Sequence, residues 1–237
     1  MDIQPVLLPL NGRNLVYYLS LFAIFLVLGS LYGDVGTLLF GHSWSVDLAK
    51  YLVGTSREGN ISSFFSAVLL LMSACLLGMI YLFKKQDKDT FATQWLVLTL
   101  GFFLMSFDEA VSIHELMVTP MRKLLALQVY GVLYYAWVVP ALVLVAGLAL
   151  YFYRFMLHLP TQTCGMFVFS ALLFLGGCIG FEMLGGWHVE QFGLKNLTYI
   201  AVVTLEESFE MAGIILFIHS LMLYMKKQNM RFNLQAI

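Results

Sequence analysis

Residues 93–115 decide the fold, and they read TQWLVLTLGFFLMSFDEAVSIHE. The part from Thr93 to Met105 is predominantly apolar, and Asp108 and Glu109 follow it within the same run. Crossing the hydrocarbon of a bilayer takes about 20 such residues. With a rise of 1.5 Å per residue, Asp108 lies ~22 Å along the helix from its start. Because ionisable groups are costly at membrane depth, acids in this position indicate a functional site.

The whole composition is that of a protein whose main solvent is lipid. Of 237 residues, 60% are hydrophobic and 11% are charged, and the mean hydropathy is +0.84. These values predict an all-α, polytopic membrane helical bundle of about six transmembrane helices. Short polar loops separate the apolar segments, so we expect one integral membrane domain over residues 1–237. The predicted spans are residues 14–33, 61–83, 93–115, 129–152, 164–183 and 197–224.

The distribution of Lys and Arg predicts the orientation, because cytoplasmic loops carry the excess of these residues. With the N-terminus inside, the cytoplasmic face holds eight of them and the outer face five. We therefore expect both termini in the cytoplasm and the chain in a plasma or inner membrane, with lipids as its partners. The net charge of -1 and the lack of a long basic run exclude a nucleic-acid partner.

Acidic residues also occur in the last two apolar segments. Glu182 lies in the fifth segment, and Glu206, Glu207 and Glu210 lie in the sixth. Neither segment contains Lys or Arg, and the same is true of residues 93–115. Carboxylates gathered without a basic partner must take up protons or bind cations. The alternating direction of the spans brings all of these acids towards the outer leaflet.

Helical spacing predicts which acids face the bundle interior. Asp108 and Glu115 are seven residues apart and share one face of a continuous helix. The three glutamates of the last segment fall within about 100° of one another, and such a face is intolerable towards lipid. Each outward-running segment also ends with an acid followed by a histidine. The three pairs are Asp34 with His42, Asp108 with His114, and Glu182 with His188. They indicate either an eroded repeat, with a ring of acids and imidazoles, or a coincidence.

Carboxylate and imidazole groups together are the donors that Zn, Mn and Fe(II) prefer. We therefore predict a divalent metal ion, Zn, Fe or Mn, as the cofactor. Its predicted ligands are Asp108, His114, Glu115, Glu182, His188, Glu206 and Glu210. Glu109 and Glu207 are predicted to orient these ligands or to act as the catalytic base. The Glu-x-x-His signature of four-helix di-iron proteins is missing, so a two-iron centre is the less favoured form.

These residues predict a metal-dependent membrane enzyme that acts on a lipid-like substrate, either a hydrolase or a di-metal oxidoreductase. Two other classes of protein stay open. A cation or proton-coupled transporter would use the same acids, but it needs a polar route to both faces. A non-catalytic subunit of a membrane complex would pair its acids with basic residues of another chain.

Overall fold

The computed structural model describes residues 12–55 and 59–230, and all regular structure in these ranges is helical. A single 3-10 turn, Gly131–Leu133, and a π-helical segment, Gly176–Phe181, accompany the α-helices. The α-helices are α1 Gly12–Phe40, α2 Trp44–Val53, α3 Ile61–Gln86, α4 Ala92–Val111, α5 Ile113–Leu116, α6 Val118–Leu125, α7 Val138–His158, α8 Thr161–Leu175, α9 Glu182–Phe192 and α10 Leu197–Lys227.

Five helices of the described chain are long and apolar enough to cross a membrane, which confirms the predicted helical membrane bundle. They are α1, α3, α4, α7 and the continuous helix Thr161–Phe192, which joins α8, the π-helical segment and α9. The sixth predicted span corresponds to α10, a helix of 31 residues. At 1.5 Å per residue α10 is about 46 Å long, and it packs against α1, α3 and α8.

The helix ends sort into two ends of the bundle. At one end, which we call the basal end, α1 begins next to the last turns of α10, because a Cβ built on Gly12 would lie 3.0 Å from Met222 Cε. Lys84 Nζ lies 5.8 Å from the Tyr224 ring centre at this end. The start of α1 and the end of α10 thus share a side, as the predicted topology requires. That these two helix ends face the cytoplasm stays a prediction. Two of the residues counted for the orientation, Arg57 and Arg231, lie outside the described residues.

An aromatic cluster fills the basal half of the bundle. The ring of Trp95 lies 5.0 Å from that of Phe155 and 5.1 Å from that of Tyr224. Phe102 stacks on Phe217 at 4.7 Å, which extends the cluster along α10. Buried aromatic pairs of this kind add to the packing of apolar surface. The basal half is therefore closely packed and apolar.

The loop between α3 and α4 is held at the basal end by Asp89. Its carboxylate contacts Lys84 Nζ at 3.0 Å and accepts a 2.8 Å hydrogen bond from the Phe91 backbone N–H. Burial by itself would raise the pKa of Asp89, but these two partners outweigh it and lower that pKa. The folded loop therefore favours the ionised carboxylate.

The fourth predicted span, residues 129–152, starts too early. The helix begins at Val138, and the residues before it form a loop with the 3-10 turn. Pro140 is at the middle of the predicted span, but in the structure it lies in the first turn of α7. A proline is tolerated there because the first backbone N–H groups of a helix have no intrahelical partner.

The third predicted span, residues 93–115, is also interrupted. Helix α4 ends at Val111 because Ser112 adopts a left-handed conformation, with φ 53° and ψ 46°. Its backbone N–H still bonds to the carbonyl oxygen of Asp108, and the chain then turns into the short helix α5. Asp108 and Glu115 are therefore not on one continuous helical face, and the spacing argument for Glu115 was wrong.

Candidate functional site

A cavity of about 830 Å³ opens at the end of the bundle opposite the basal end. Its wall is formed by Thr55 and by residues of α3, α4, α5, α6, the loop before α7, α7, α8, the π-helical segment, α9 and α10. Eight of the predicted site residues line it. They are Asp108, Glu109, His114, Glu115, Glu182, Glu206, Glu207 and Glu210.

The clearest local geometry in the cavity is a hydrogen-bonded pair of Asp108 and His114. The left-handed turn at Ser112 folds the chain back, so that His114 Nδ1 lies 2.9 Å from Asp108 Oδ2. The His114 backbone N–H donates to Asp108 Oδ1, also at 2.9 Å. Because both oxygens of Asp108 contact His114, this carboxylate orients the imidazole ring. Chemistry at His114 would take place at the other ring nitrogen, Nε2.

Trp137 connects this pair to Glu182 across the cavity. Its indole N–H donates a 2.9 Å hydrogen bond to Glu182 Oε1. The ring of Trp137 also lies 5.0 Å from the ring of His114. The loop before α7 therefore fixes both an acid of α9 and the imidazole of α5.

The π-helical segment brings Glu182 and Cys178 against the acids of α10. A Cβ built on Gly177 would lie 2.7 Å from Glu210 Cγ and 2.8 Å from the carbonyl oxygen of Glu206, so only glycine allows this approach. Cys178, the next residue, lines the cavity. Single π-helical turns inside α-helices are frequent at functional sites. Here the π-helical turn sets the spacing between two acid-bearing helices.

The acids of α9 and α10 lie close together. The carboxyl groups of Glu182 and Glu206 are neighbours, and the charges of Glu207 and Glu210 also act on Glu206. Like charges this close disfavour one another's ionisation unless a counter-charge is present. That protons or a bound cation balance these charges stays a prediction.

A tyrosine hydroxyl lies beside these acids. Tyr135, in the loop before α7, interacts with Tyr199 and Glu182, and both tyrosines line the cavity. Burial raises the pKa of Tyr135, and its neighbours Tyr199 and Glu182 raise it further. Tyr135 therefore stays protonated at physiological pH and keeps an O–H group beside the carboxylates.

Arg122 corrects the expectation that no basic side chain lies near the acids. It lines the cavity, where its Nε donates to the carbonyl oxygen of Tyr134 at 2.8 Å, and its Nη2 donates to the same oxygen. The guanidinium group also lies over the ring of Tyr134, 4.1 Å from its centre. Arg122 is placed in the cavity by α6 and by the loop before α7. Helix α6, which carries it, lies outside the apolar runs, so the residue spacing within those runs could not predict its position. Among the described residues, the cavity is thus lined by seven acids and one arginine.

Glu190 holds the loop that carries these aromatic residues. Its two carboxylate oxygens accept hydrogen bonds from the backbone N–H groups of Tyr130, at 2.9 Å, and Gly131, at 2.6 Å. A Cβ built on Gly186, one turn earlier in α9, would lie 2.9 Å from Tyr134 Cβ. Helix α9 therefore positions Tyr134 and its neighbours at the cavity rim.

His188 was predicted as a metal ligand, but the structure places it outside the cavity lining. It is buried, and its Nε2 lies 2.7 Å from Asn196 Oδ1. The same oxygen of Asn196 accepts the backbone N–H of Tyr199 and caps the start of α10. His188 thus supports the turn between α9 and α10.

The predicted ring of three acid–histidine pairs does not form. Asp34 pairs with Lys50 at 2.9 Å, and His42 contacts Asp47 at 2.8 Å. Of the three pairs, all of which the structure describes, only Asp108 with His114 is joined directly. These contacts give no support to the ring of acids and imidazoles.

The geometry of the described residues does not show the predicted metal site. In residues 12–55 and 59–230, no group of three or more His, Cys, Asp or Glu side chains has the arrangement of a metal site. The donors that line the cavity would have to move together to bind an ion. Sequence reasoning also missed five residues that line the cavity, and the crowding of aromatic residues in 130–137 was an available signal only for the three aromatic ones. The five residues are Arg122, Tyr134, Tyr135, Trp137 and Cys178.

Comparison with known proteins places the chain in a family. No curated protein matches it, and no solved structure matches it. The model of one family, described as "Domain of unknown function (DUF8692)", matches residues 18–225. This match includes all the cavity-lining residues and most of the chain. The chain therefore belongs to the family of the domain of unknown function DUF8692.

Proposed function

We propose that this chain is a metal-dependent membrane enzyme that acts on a lipid-like substrate in the acid-lined cavity. The observation that carries the proposal is the Asp108–His114 pair, in which the carboxylate contacts Nδ1 and directs the chemistry of the ring to Nε2. A carboxylate behind a histidine fixes its tautomer and strengthens it as a base or a metal ligand.

The cavity supplies the other groups that such a reaction needs. Glu182, Glu206 and Glu210 are the carboxylates that would hold a divalent ion, Zn, Fe or Mn, together with His114. When bound, the ion would activate a water molecule or polarise a substrate carbonyl or phosphoryl oxygen. Glu109 and Glu207 would accept or return protons at the edge of this set.

The basal half favours an enzyme over the alternative of a cation or proton-coupled transporter. A transporter needs polar groups along a route to both faces, whereas Trp95, Phe155 and Phe217 close the basal half with stacked and edge-on rings. The acids instead line a cavity at one end of the bundle, and the aromatic cluster lies between this cavity and the basal end. A non-catalytic subunit would be expected to lose stability when expressed without its complex.

Metal content is the test of this proposal. The protein is purified in detergent, exposed in turn to Zn, Mn and Fe(II), desalted and analysed by elemental mass spectrometry. We expect stoichiometric metal in the native chain and its loss in the double variant Glu206→Gln with Glu210→Gln. The matched control is Asp47→Asn with Asp87→Asn, since both of these side chains are exposed and lie outside the cavity.

Two results would count against the metal-dependent enzyme. Folded native protein that retains none of the three metals would refute it, and infrared bands of protonated acids that change with pH would then assign the site to proton chemistry. Metal retained in the glutamine variant and lost in the control would place the ion elsewhere.

A further inference from the structure

Helices α4 and α7, together with the residues that adjoin them, are in ring contact at two places. Near the basal end, the rings of Trp95 and Phe155 lie 5.0 Å apart. Near the cavity end, the ring of Trp137, just before α7, lies 5.0 Å from that of His114, just after α4. The structure describes all of α7, and its only two buried residues, Val138 and Phe155, lie near its two ends.

The cavity reaches into the gap between these helices. On α7 its lining residues are Pro140, Ala141, Leu144 and Val145, which lie on one face of the helix over about two turns, and on α4 its lining includes Met105. Leu144 is 62% exposed although it lines the cavity. An exposed side chain in a cavity wall marks an opening. We call this opening, bounded by Met105, Ala141 and Leu144, the α4–α7 window.

The surroundings of the window identify what can enter it. Both helices are among those long and apolar enough to cross a membrane, so the window faces hydrocarbon rather than water. Its rim is apolar, whereas the cavity behind it carries seven acids and Arg122. A molecule that fits both parts has an apolar chain and a head group that is attracted by negative charge.

We propose that the α4–α7 window admits the hydrocarbon chain of a long-chain amine, whose cationic head group binds among the cavity acids. This inference rests on the cavity of the proposed function and names its substrate class. The apolar rim contacts the hydrocarbon chain of the amine, and the rest of that chain remains among the lipids of the bilayer. The carboxylates and the rings of Tyr135 and Trp137 line the cavity that the ammonium group would enter, and aromatic rings attract organic cations.

Photo-crosslinking tests the window with a defined probe. Hexadecylamine with a diazirine in its chain is added to the native protein in lipid nanodiscs, and labelled residues are mapped by mass spectrometry. Hexadecanoic acid with the same diazirine is the control for head-group charge. We expect the amine to label residues of α4 and α7 at the window, and to do so more strongly than the acid.

Two tryptophan substitutions distinguish the window from the general lipid surface. Ala141→Trp fills the window and should abolish the labelling there. Val143→Trp lies two residues away, at a position that is 71% exposed and outside the cavity lining, and should retain it. Ala141→Leu, a smaller change, should reduce the labelling and serves where the tryptophan variant does not fold.

The following outcomes would overturn the proposal. These are equal labelling by amine and acid, labelling that Ala141→Trp leaves unchanged, and a window covered by a second copy of the chain and closed to the probe. Metal content is measured independently of this experiment. Labelling of the window by the amine in a protein that binds no metal would therefore support the window and refute the metal-dependent enzyme. Metal binding without labelling of the window would refute the window and support the metal-dependent enzyme.

Discussion

Gly177→Ala is the most direct test of how the site is built. In the native structure the added Cβ would lie 2.7 Å from Glu210 Cγ, 2.8 Å from the Glu206 carbonyl oxygen and 3.1 Å from the Glu210 backbone nitrogen. Ordinary contacts between non-bonded carbon atoms are about 3.5–4.0 Å. Two of the three atoms belong to the backbone of α10, so a side-chain rotation cannot relieve the contact. The π-helical segment and α10 must move apart.

The expected size of the effect follows from two opposing contributions. Overpacking of a closely packed interface costs about 1–3 kcal/mol, and replacing a helical glycine by alanine returns about 0.5–1 kcal/mol. We therefore expect Gly177→Ala to lower the free energy of unfolding by about 1–2 kcal/mol. The shift should also weaken metal and amine binding, because it displaces the turn that carries Glu206 and Glu210.

Gly176→Ala is the matched control for this prediction. Gly176 is the preceding residue of the same helix, has helical dihedral angles of φ -64° and ψ -38°, and has nothing within 4 Å of an added Cβ. This variant should be as stable as the native protein or more so, by up to about 1 kcal/mol. Thermal unfolding in detergent compares the two variants. Equal melting temperatures would refute the reasoning that the acid-bearing helices are in contact at Gly177.

Three further predictions concern individual contacts. Trp137→Phe removes the donor to Glu182 and should lower the free energy of unfolding by about 1 kcal/mol, whereas Trp187→Phe, at an exposed position, should change the melting temperature little. The stabilisation from Asp89, whose folded pKa is lowered, is complete above the ordinary carboxyl pKa of about 3.9 and disappears as the pH falls through the folded pKa. The native protein should therefore unfold at a higher temperature than Asp89→Asn at neutral pH, and a difference that persists at pH values below the folded pKa would contradict this. His188→Ala should lower stability by about 1 kcal/mol but leave metal content and amine labelling unchanged, and a loss of metal in this variant would return His188 to the site.

The long apolar runs made the membrane bundle predictable, but two of its details depend on local backbone chemistry. Residues 129–137 contain no charged residue, and all of them except Gly131 are hydrophobic, so composition alone extends the predicted span across the loop. The end of α4 has no glycine or proline to mark it, because Ser112 itself takes the left-handed conformation. A serine is a weak signal for that conformation, since non-glycine residues adopt it rarely.

The acids of the cavity could be found from the sequence, because helical spacing and alternating span direction act together. Glu206, Glu207 and Glu210 had to avoid lipid, and their depth matched that of Asp108. The positions of Arg122 and Trp137 could not be found in this way. Both are placed by segments without a regular period, α6 and the loop before α7, and they reach the cavity through contacts with Tyr134 and Glu182 that are distant in sequence.

The acid-lined part of the cavity favours cations, whereas the α4–α7 window favours hydrocarbon. This difference limits which molecules can both enter the cavity and react in it. The proposed chemistry needs protons or cations among the seven carboxylates, which one arginine cannot balance, and these would reach the cavity from the polar end of the bundle. The α4–α7 window lies within apolar spans, where water is excluded and hydrocarbon is the solvent. A soluble substrate would have no use for that opening. The proposed long-chain amine would use both parts at once, because its chain would remain in the bilayer while its head group would contact the carboxylates beside His114.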